Sequence, residues 1–594
     1  MGIPPGSSPT GGPVNPPPPT PEATPGDRYF YTRARTLAEY ISLCLETHRE
    51  HRFLAELRGP SITYEEAAQQ IAALRQTLKR AGIRPGDRVA LLGQNSIHWA
   101  LTYLAVVTSG AVVVPILNEF NPAAIHNILN MSGSKAIFVT AALAEKLQGG
   151  SFPDLEKAFL LEDFKEFDLQ RLFELLKQLK EKVASLRDRA EQFLADRNFP
   201  FAKGEHVPQP NDLAAIVYTS GTTGSSKGVM LTQRNLVSDV IAAVRYVDLT
   251  PADRFLSLLP LAHTYECTCC LLASLHSGSS VTYLQQKPSP KILQEAFAEV
   301  HPTIVFAVPL IIEKIFRKKV LPGIEGKLLL RGMVKLPLLR RVVYRKAVDG
   351  LMKAFGGQIK FMGFGGSALP PDVEKFLRIG GFPYAIGYGM TECSPLISGS
   401  TTAETRQGSC GTPVLGIELR IADPDPKTGV GEVQVRGPMV SQGYYRNAEA
   451  TAALFTPDGF LKTGDLGLQD KDGYVHLKGR SKNVILGPSG ENIYPEEIEY
   501  LLSQSPFVIE CLVVKQAAGL TAMIFPDYDL LTRELHLHAL SDARIQARLQ
   551  EHFKALIAEV NAQLAAFSHL VAFRLVEREF VKTPTEKIKR HMYQ

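Results

Sequence analysis

Apolar positions along the chain follow two periods. From Thr36 to about Ala144, stretches with helical spacing (Leu37 to Glu46, Tyr64 to Ala81) alternate with short apolar runs (Val89 to Leu92, Val112 to Ile116, Ala136 to Val139). Runs with no polar alternate suit strands buried on both faces, and helices between them imply a parallel sheet covered on both sides. Gly82 to Asp87 reads as a tight connection. The longest apolar run, Leu101 to Leu117, is broken by Thr108-Ser109-Gly110 and Pro115. It falls short of the roughly 20 residues of a membrane span, so a buried helix, turn and strand are expected. Strand and helix return from Phe255 to Tyr283, interrupted by Pro260 to Glu266. Between Gly411 and Gly437, the runs Glu418 to Ile421 and Glu432 to Val435 with their turn residues predict a small β-rich subdomain. Near Gly479 to Asn483 the pattern changes into a last α+β domain of about 110 residues. The fold class is therefore α/β: a large N-terminal domain of parallel α/β sheets plus a small β-rich subdomain, then a small α+β C-terminal domain.

Three segments stand outside this alternation. Residues 1–27 are Pro, Gly, Ser and Thr with almost no apolar content, so a disordered tail without a secretory apolar core is expected. The large domain then covers 28–481 and the small one 482–594. Within 168–195, Leu169, Leu172, Leu176, Leu179 and Val183 begin a heptad seam, with Asp168 as a candidate cap. Such an inserted helix either lies on its own domain or docks a partner helix, a second copy of the chain included. Between Lys314 and Lys346, eleven Lys and Arg face only Glu325, with leucines and valines interleaved. This stretch reads either as a solvated face over a packed apolar stripe or as a peripheral membrane contact on an anionic surface.

Composition narrows the class. A net charge of +5 on 594 residues is mild and gives no reason to expect nucleic acid. Seven cysteines is an odd number, and Cys267-Thr268-Cys269-Cys270 lacks zinc-site spacing. Reduced thiols in a cytoplasmic protein are expected.

The candidate chemistry starts at Tyr218-Thr219-Ser220-Gly221-Thr222-Thr223-Gly224-Ser225-Ser226-Lys227-Gly228, after the apolar run Leu213 to Val217. Where no Cβ intrudes, backbone N–H groups approach phosphate closely; hydroxyls donate and the lysine adds charge. Ser226 precedes Lys227 and Gly228 follows it, which is not the Walker order. The stretch resembles the phosphate loop of the adenylate-forming superfamily of acyl-CoA synthetases, luciferases and peptide-synthetase adenylation domains. On that resemblance Thr219, Ser220, Gly221, Thr222, Thr223, Gly224 and Lys227 cradle ATP.

Further stretches occur in that family's order, and the resemblance gives each a role. Gly363 to Pro370 places Gly366, Ser367 and Ala368 beside adenine. In Gly387 to Glu392, Tyr388 stacks on adenine, Thr391 touches the α-phosphate, and Glu392, with Thr222, holds Mg²⁺. Asp465, in Lys462 to Asp465, accepts from the ribose hydroxyls, and Arg480 approaches the same sugar. Lys587, after Thr583-Pro584-Thr585-Glu586, matches the catalytic lysine, although many relatives have Gly where Glu586 stands. Lys482 matches a hinge. Rotation about it removes Lys587 and brings Gly490 to the site, where coenzyme A enters. His263 matches a gate residue near the acyl carboxylate; a buried structural histidine is the alternative. Leu486 to Pro495 and Val308 to Ile315 look most like the long-chain fatty acyl-CoA synthetase branch. The implied reaction activates a medium- or long-chain fatty acid to acyl-AMP with ATP and Mg²⁺, then passes it to coenzyme A. A carrier-protein thiol as acceptor, and a catalytically weakened membrane-docked scaffold, stay open.

Overall fold

The computed structural model describes residues 33–168, 206–219, 226–486, 492–516, 519–582 and 588–593. The proline-rich tail and the heptad segment beyond Asp168 lie outside them.

Two mainly parallel sheets form the large part. One runs in the order Lys157–Leu160, Ala136–Val139, Arg88–Leu92, Val112–Pro115, Leu213–Thr219, Lys227–Thr232. Its last pair is an antiparallel hairpin; the other pairs are parallel. The strands expected around Val89, Val112 and Ala136 are completely buried along their apolar residues. The second sheet runs Tyr384–Ile386, Phe361–Phe364, Ile304–Ala307, Arg254–Ser257, Ser280–Tyr283, Arg52–Glu56, Ser61–Thr63. Only its last pair is antiparallel. Leu101 to Leu117 is the expected helix, turn and strand: Ile97–Thr108, then Val112–Pro115.

Helix starts follow local chemistry. Thr63 and Glu66 form a reciprocal capping box on Tyr64–Arg80, and Asn121 caps Pro122–Ser132 with proline at its first position. Such caps contribute about 1 kcal/mol each. Thr232 and Asn235 repeat the box at the start of Gln233–Ala243. Asn235 also donates through Nδ2 to the carbonyls of Pro438 and Val440 at 2.7 and 2.9 Å, fixing the segment that leads into 442–445.

The β-rich subdomain is a four-stranded antiparallel sheet, Glu418–Ala422, Gly431–Arg436, Leu461–Gln469 and Val475–Arg480. Exposed Lys482 sits in the single turn Ser481–Asn483 that leaves it. The C-terminal residues have their own core, with Ile498, Leu502, Val513, Ile524 and Phe553 packed between helices and a three-stranded sheet. Arg317 reaches across to this part: paired with Asp372 at 3.0 Å, it donates to the Gln504 carbonyl at 3.3 Å. All seven cysteines are free thiols.

Candidate active site

The hairpin ends at the loop chemistry. Thr219 pairs with Lys227 and Tyr218 with Gly228. Ser220, Gly221, Thr222, Thr223 and Gly224 lie outside the described residues. The returning strand carries the loop 442–445 alongside: Met230 N donates to Gly443 O at 2.9 Å and Tyr445 N to Gly228 O at 2.7 Å. That pairing puts the Tyr444 ring 4.9 Å from Lys227 Nζ. Tyr444 Oη then donates to Glu392 Oε1 at 2.8 Å. Burial first, and Glu392 second, push the Tyr444 phenol up, so it stays a donor. Lys227 and Glu392, 165 positions apart in the chain, thus flank one ring.

A second cluster joins the first through the backbone from Tyr388 to Glu392. Tyr388 Oη donates to Asp465 Oδ2 at 2.7 Å, and Arg480 Nε meets Asp465 Oδ1 at 2.7 Å. Asp465 and Arg480 are directly opposite on adjacent antiparallel strands, which is why 15 residues of separation bring them together. Burial is also the main cause of the raised Tyr388 phenol, with Asp465 next. Gly389 permits the turn beneath: a Cβ there would fall 2.0 Å from the Pro395 carbonyl oxygen. Thr391 opens the short helical turn Thr391–Cys393 that carries Glu392. Gly366, Ser367 and Ala368 are exposed just beyond the carboxyl end of Phe361–Phe364. Gly387 N donates to Phe364 O at 2.9 Å, so the two loops leave neighbouring strand ends. Crevices at carboxyl ends of parallel strands are where open α/β sheets bind ligands.

Beside this crevice lies an apolar cavity, part of it open to solvent. Its walls include Phe255, Ile304, Phe306, Phe361 and Leu396, together with Gly363 and Gly387. A Cβ on Gly363 would stand 2.6 Å from the Phe306 ring, so glycine keeps that ring in place.

His263 begins the helical turn Thr264–Glu266, its Nδ1 accepting from Tyr265 N at 3.3 Å. Tyr265 lines the cavity. Further along the same segment, Thr268 Oγ1 donates to Ser394 O at 2.9 Å, just after the turn that carries Glu392. Glu266, on the same turn, is fully buried, and burial pushes its carboxyl up to about 8. The fold thus holds it protonated, whereas the unfolded chain ionises it above the ordinary glutamate value of 4.5. Between those values the unfolded state binds fewer protons, so stability falls as pH rises, by about 1.4 kcal/mol per pH unit. The melting temperature of Glu266→Gln should exceed that of the native chain by a margin that widens from pH 5 to pH 8. A constant margin would show that Glu266 does not titrate this way.

Gly490 and Lys587 lie outside the described residues, as does Glu586. Tyr444 was missed by sequence reasoning; nothing in Gly443-Tyr444-Tyr445 marks it, since its partner lies 52 positions away. Among the described residues there is no cluster of three or more His, Cys, Asp and Glu suited to a metal. A single carboxylate suits Mg²⁺ at a triphosphate, which keeps waters and phosphate oxygens as its other ligands. Glu392 fits: Oε1 accepts from Tyr444, and among the described residues Oε2 accepts no hydrogen bond.

Comparison with known proteins agrees with this geometry. Residues 44–445 match the AMP-binding enzyme family. The chain is 31% identical over 583 residues to long chain acyl-CoA synthetase 6, peroxisomal, of Arabidopsis thaliana, covering 89% of this chain and 79% of that one. It is 29% identical to the long-chain-fatty-acid–CoA ligase FadD15 of Mycobacterium tuberculosis, over 89% of this chain and 90% of that one. Among solved structures, the o-succinylbenzoate coenzyme A synthetase of Bacillus subtilis, in complex with ATP and magnesium ion, superposes with a TM-score of 0.68 at 21% identity. That alignment covers 93% of this chain and 98% of the other and speaks for the fold alone. A family match over most of the length, on a chain whose Lys227, Tyr388, Glu392 and Asp465 converge, has one reading: the chain belongs to the AMP-binding, adenylate-forming enzymes.

Proposed function

We propose that the chain activates a medium- or long-chain fatty acid with ATP and transfers the acyl group to coenzyme A. The observation that carries this reading is the apolar cavity whose wall includes Gly387, the residue next to Tyr388. An aliphatic chain seated there has its carboxylate end beside the nucleotide crevice. The carboxylate oxygen attacks the α-phosphorus, a C–O–P anhydride forms, and pyrophosphate leaves with the electrons of the broken P–O bond. The thiolate of coenzyme A then attacks the acyl carbon and AMP departs.

On this reading Asp465 and Arg480 fix the ribose, Tyr388 meets adenine, and Gly366, Ser367 and Ala368 border it. Thr219, Ser220, Gly221, Thr222, Thr223, Gly224 and Lys227 hold the phosphates. Glu392 and Thr222 hold Mg²⁺, whose charge offsets that of the triphosphate. Thr391 and Lys587 face the α-phosphate as charge develops, where preorganised donors act most strongly. His263 gates the acyl end. Lys482 is the hinge, and Gly490 leaves room for the pantetheine thiol. The names of the relatives support fatty acid and coenzyme A.

The test is acyl-CoA formation and pyrophosphate release across a panel of acids, with the native chain and Ala243→Phe. Ala243 is a half-buried wall residue at the end of a helix, so extra bulk there is directed at the cavity. Hexadecanoate should lose about tenfold or more in kcat/KM in the variant while octanoate is spared. Turnover by the native chain with aryl or amino acids alone would sink the fatty-acid reading. Acyl transfer to a carrier protein but not to coenzyme A would replace the acceptor.

A further inference from the structure

The structure separates the two readings of the basic stretch. A solvated face over a packed stripe requires its leucines to be covered. Leu328, Leu329 and Leu338 are instead 86, 76 and 84% exposed. They lie on a helical hairpin: Leu328–Met333, a turn through Leu336, then Pro337–Ala354. Arg340 Nε donates to Val334 O at 2.8 Å and ties the second helix to the turn. Val343, Val348 and Leu351 are the buried residues of the second helix. At 100° per residue Leu338 and Val342 fall opposite them, with Arg345 and Lys346 alongside. No residue of the first helix is buried.

We propose that this hairpin, residues 327–346, docks the protein on an anionic lipid bilayer, with Leu328, Leu329 and Leu338 entering the acyl boundary and the lysines and arginines meeting headgroups. Three observations favour a bilayer over a protein. Exposed aliphatic side chains are contiguous with exposed cations, the arrangement of interfacial helices. Protein interfaces are rich in aromatic residues and poor in lysine. Here the only aromatic of the hairpin, Tyr344, is partly buried against Phe376, and Lys327, Lys335 and Lys346 are all exposed. Among the described residues, none of those three lysines, nor Arg331, Arg341 or Arg345, is paired with a carboxylate, so their charge is left for an external anion.

Position adds a purpose, and here the proposal rests on the fatty-acid reading. The basic segment follows Ile304–Ala307, whose Ile304 and Phe306 line the apolar cavity. A surface that touches lipid and a pocket that takes acyl chains are then joined through residues 308–326.

The experiment is sedimentation of the full chain with vesicles of phosphatidylcholine alone or with a quarter phosphatidylglycerol. Binding is expected to the mixed vesicles, to be much weaker on the neutral ones, and to fall in about 0.5 M salt as screening shortens the reach of each cation. Leu328→Ser/Leu329→Ser/Leu338→Ser should weaken partition about tenfold or more, because the side chains it removes are exposed and not part of the core. Lys327→Glu/Arg331→Glu/Lys335→Glu should do the same through charge. Both variants should retain native turnover with albumin-delivered acid, which also shows them folded. A native chain that stays in solution with mixed vesicles, or variants that bind as it does, would overturn the proposal. So would a native dimer that the leucine variant splits without vesicle binding, since the face would then belong to a second copy. Vesicle binding reads no turnover, so failure of the ligase reading and failure of this surface are told apart.

Discussion

Asp465→Ala should raise the KM for ATP by about 100-fold while changing kcat far less. The carboxylate is buried and takes two short contacts, from Tyr388 Oη and Arg480 Nε. Each hydrogen bond involving a charged group contributes about 1.5–3 kcal/mol. A carboxylate that also accepts from ribose binds ground state and transition state alike, because the sugar does not change during the reaction. Its loss therefore falls on KM. Removal also leaves Arg480 without its partner, so some stability goes with it. The separating measurement is KM for ATP beside the melting temperature, with Asp465→Asn as the conservative variant. Asn keeps an acceptor for Tyr388 but loses the charge facing Arg480. If both variants lower the melting temperature and leave KM within threefold, Asp465 is only a strand-pairing ion and its ribose role is wrong.

Glu392→Gln should behave in the opposite way, with kcat falling about 10²- to 10³-fold and KM for ATP moving little. The substitution keeps the shape and an oxygen to accept from Tyr444, so the loop 442–445 is expected to stay where it is. What it removes is the negative charge that would face Mg²⁺ on the proposed reading. The half-maximal Mg²⁺ concentration for pyrophosphate release should rise in parallel. Tyr444→Phe is the control: it deletes only the hydrogen bond and should cost less than about tenfold. An unchanged Mg²⁺ dependence in Glu392→Gln would remove the metal role from this residue, whatever happens to kcat.

How far the sequence carried can be judged residue by residue. The strands at Val89, Val112 and Ala136 were legible because buried parallel strands need unbroken apolar runs, and the run length sets the strand. The β-rich subdomain was legible from short alternating strands bounded by turn residues. The candidate site was legible wherever a glycine or hydroxyl pattern implies close approach to a ligand, as at Gly387 to Glu392. It was illegible at Tyr444, because an aromatic after a glycine has no distinctive spacing. The basic stretch was undecided for a similar reason: Leu328 and Val343 are equally apolar on paper, yet one is exposed and the other packed.

Local order along the chain determined the secondary structure, the α/β class and the chemical character of each loop. Those properties depend on neighbours a few residues away, through capping, turn geometry and hydrophobic period. Tertiary structure decided which loops face one another. Lys227 meets Tyr444 because a hairpin strand pairs with a distant loop, and Asp465 meets Arg480 and Tyr388 because strand register puts them opposite. It also decided which leucines are covered, since burial depends on the whole surface packed around a side chain and not on the side chain itself.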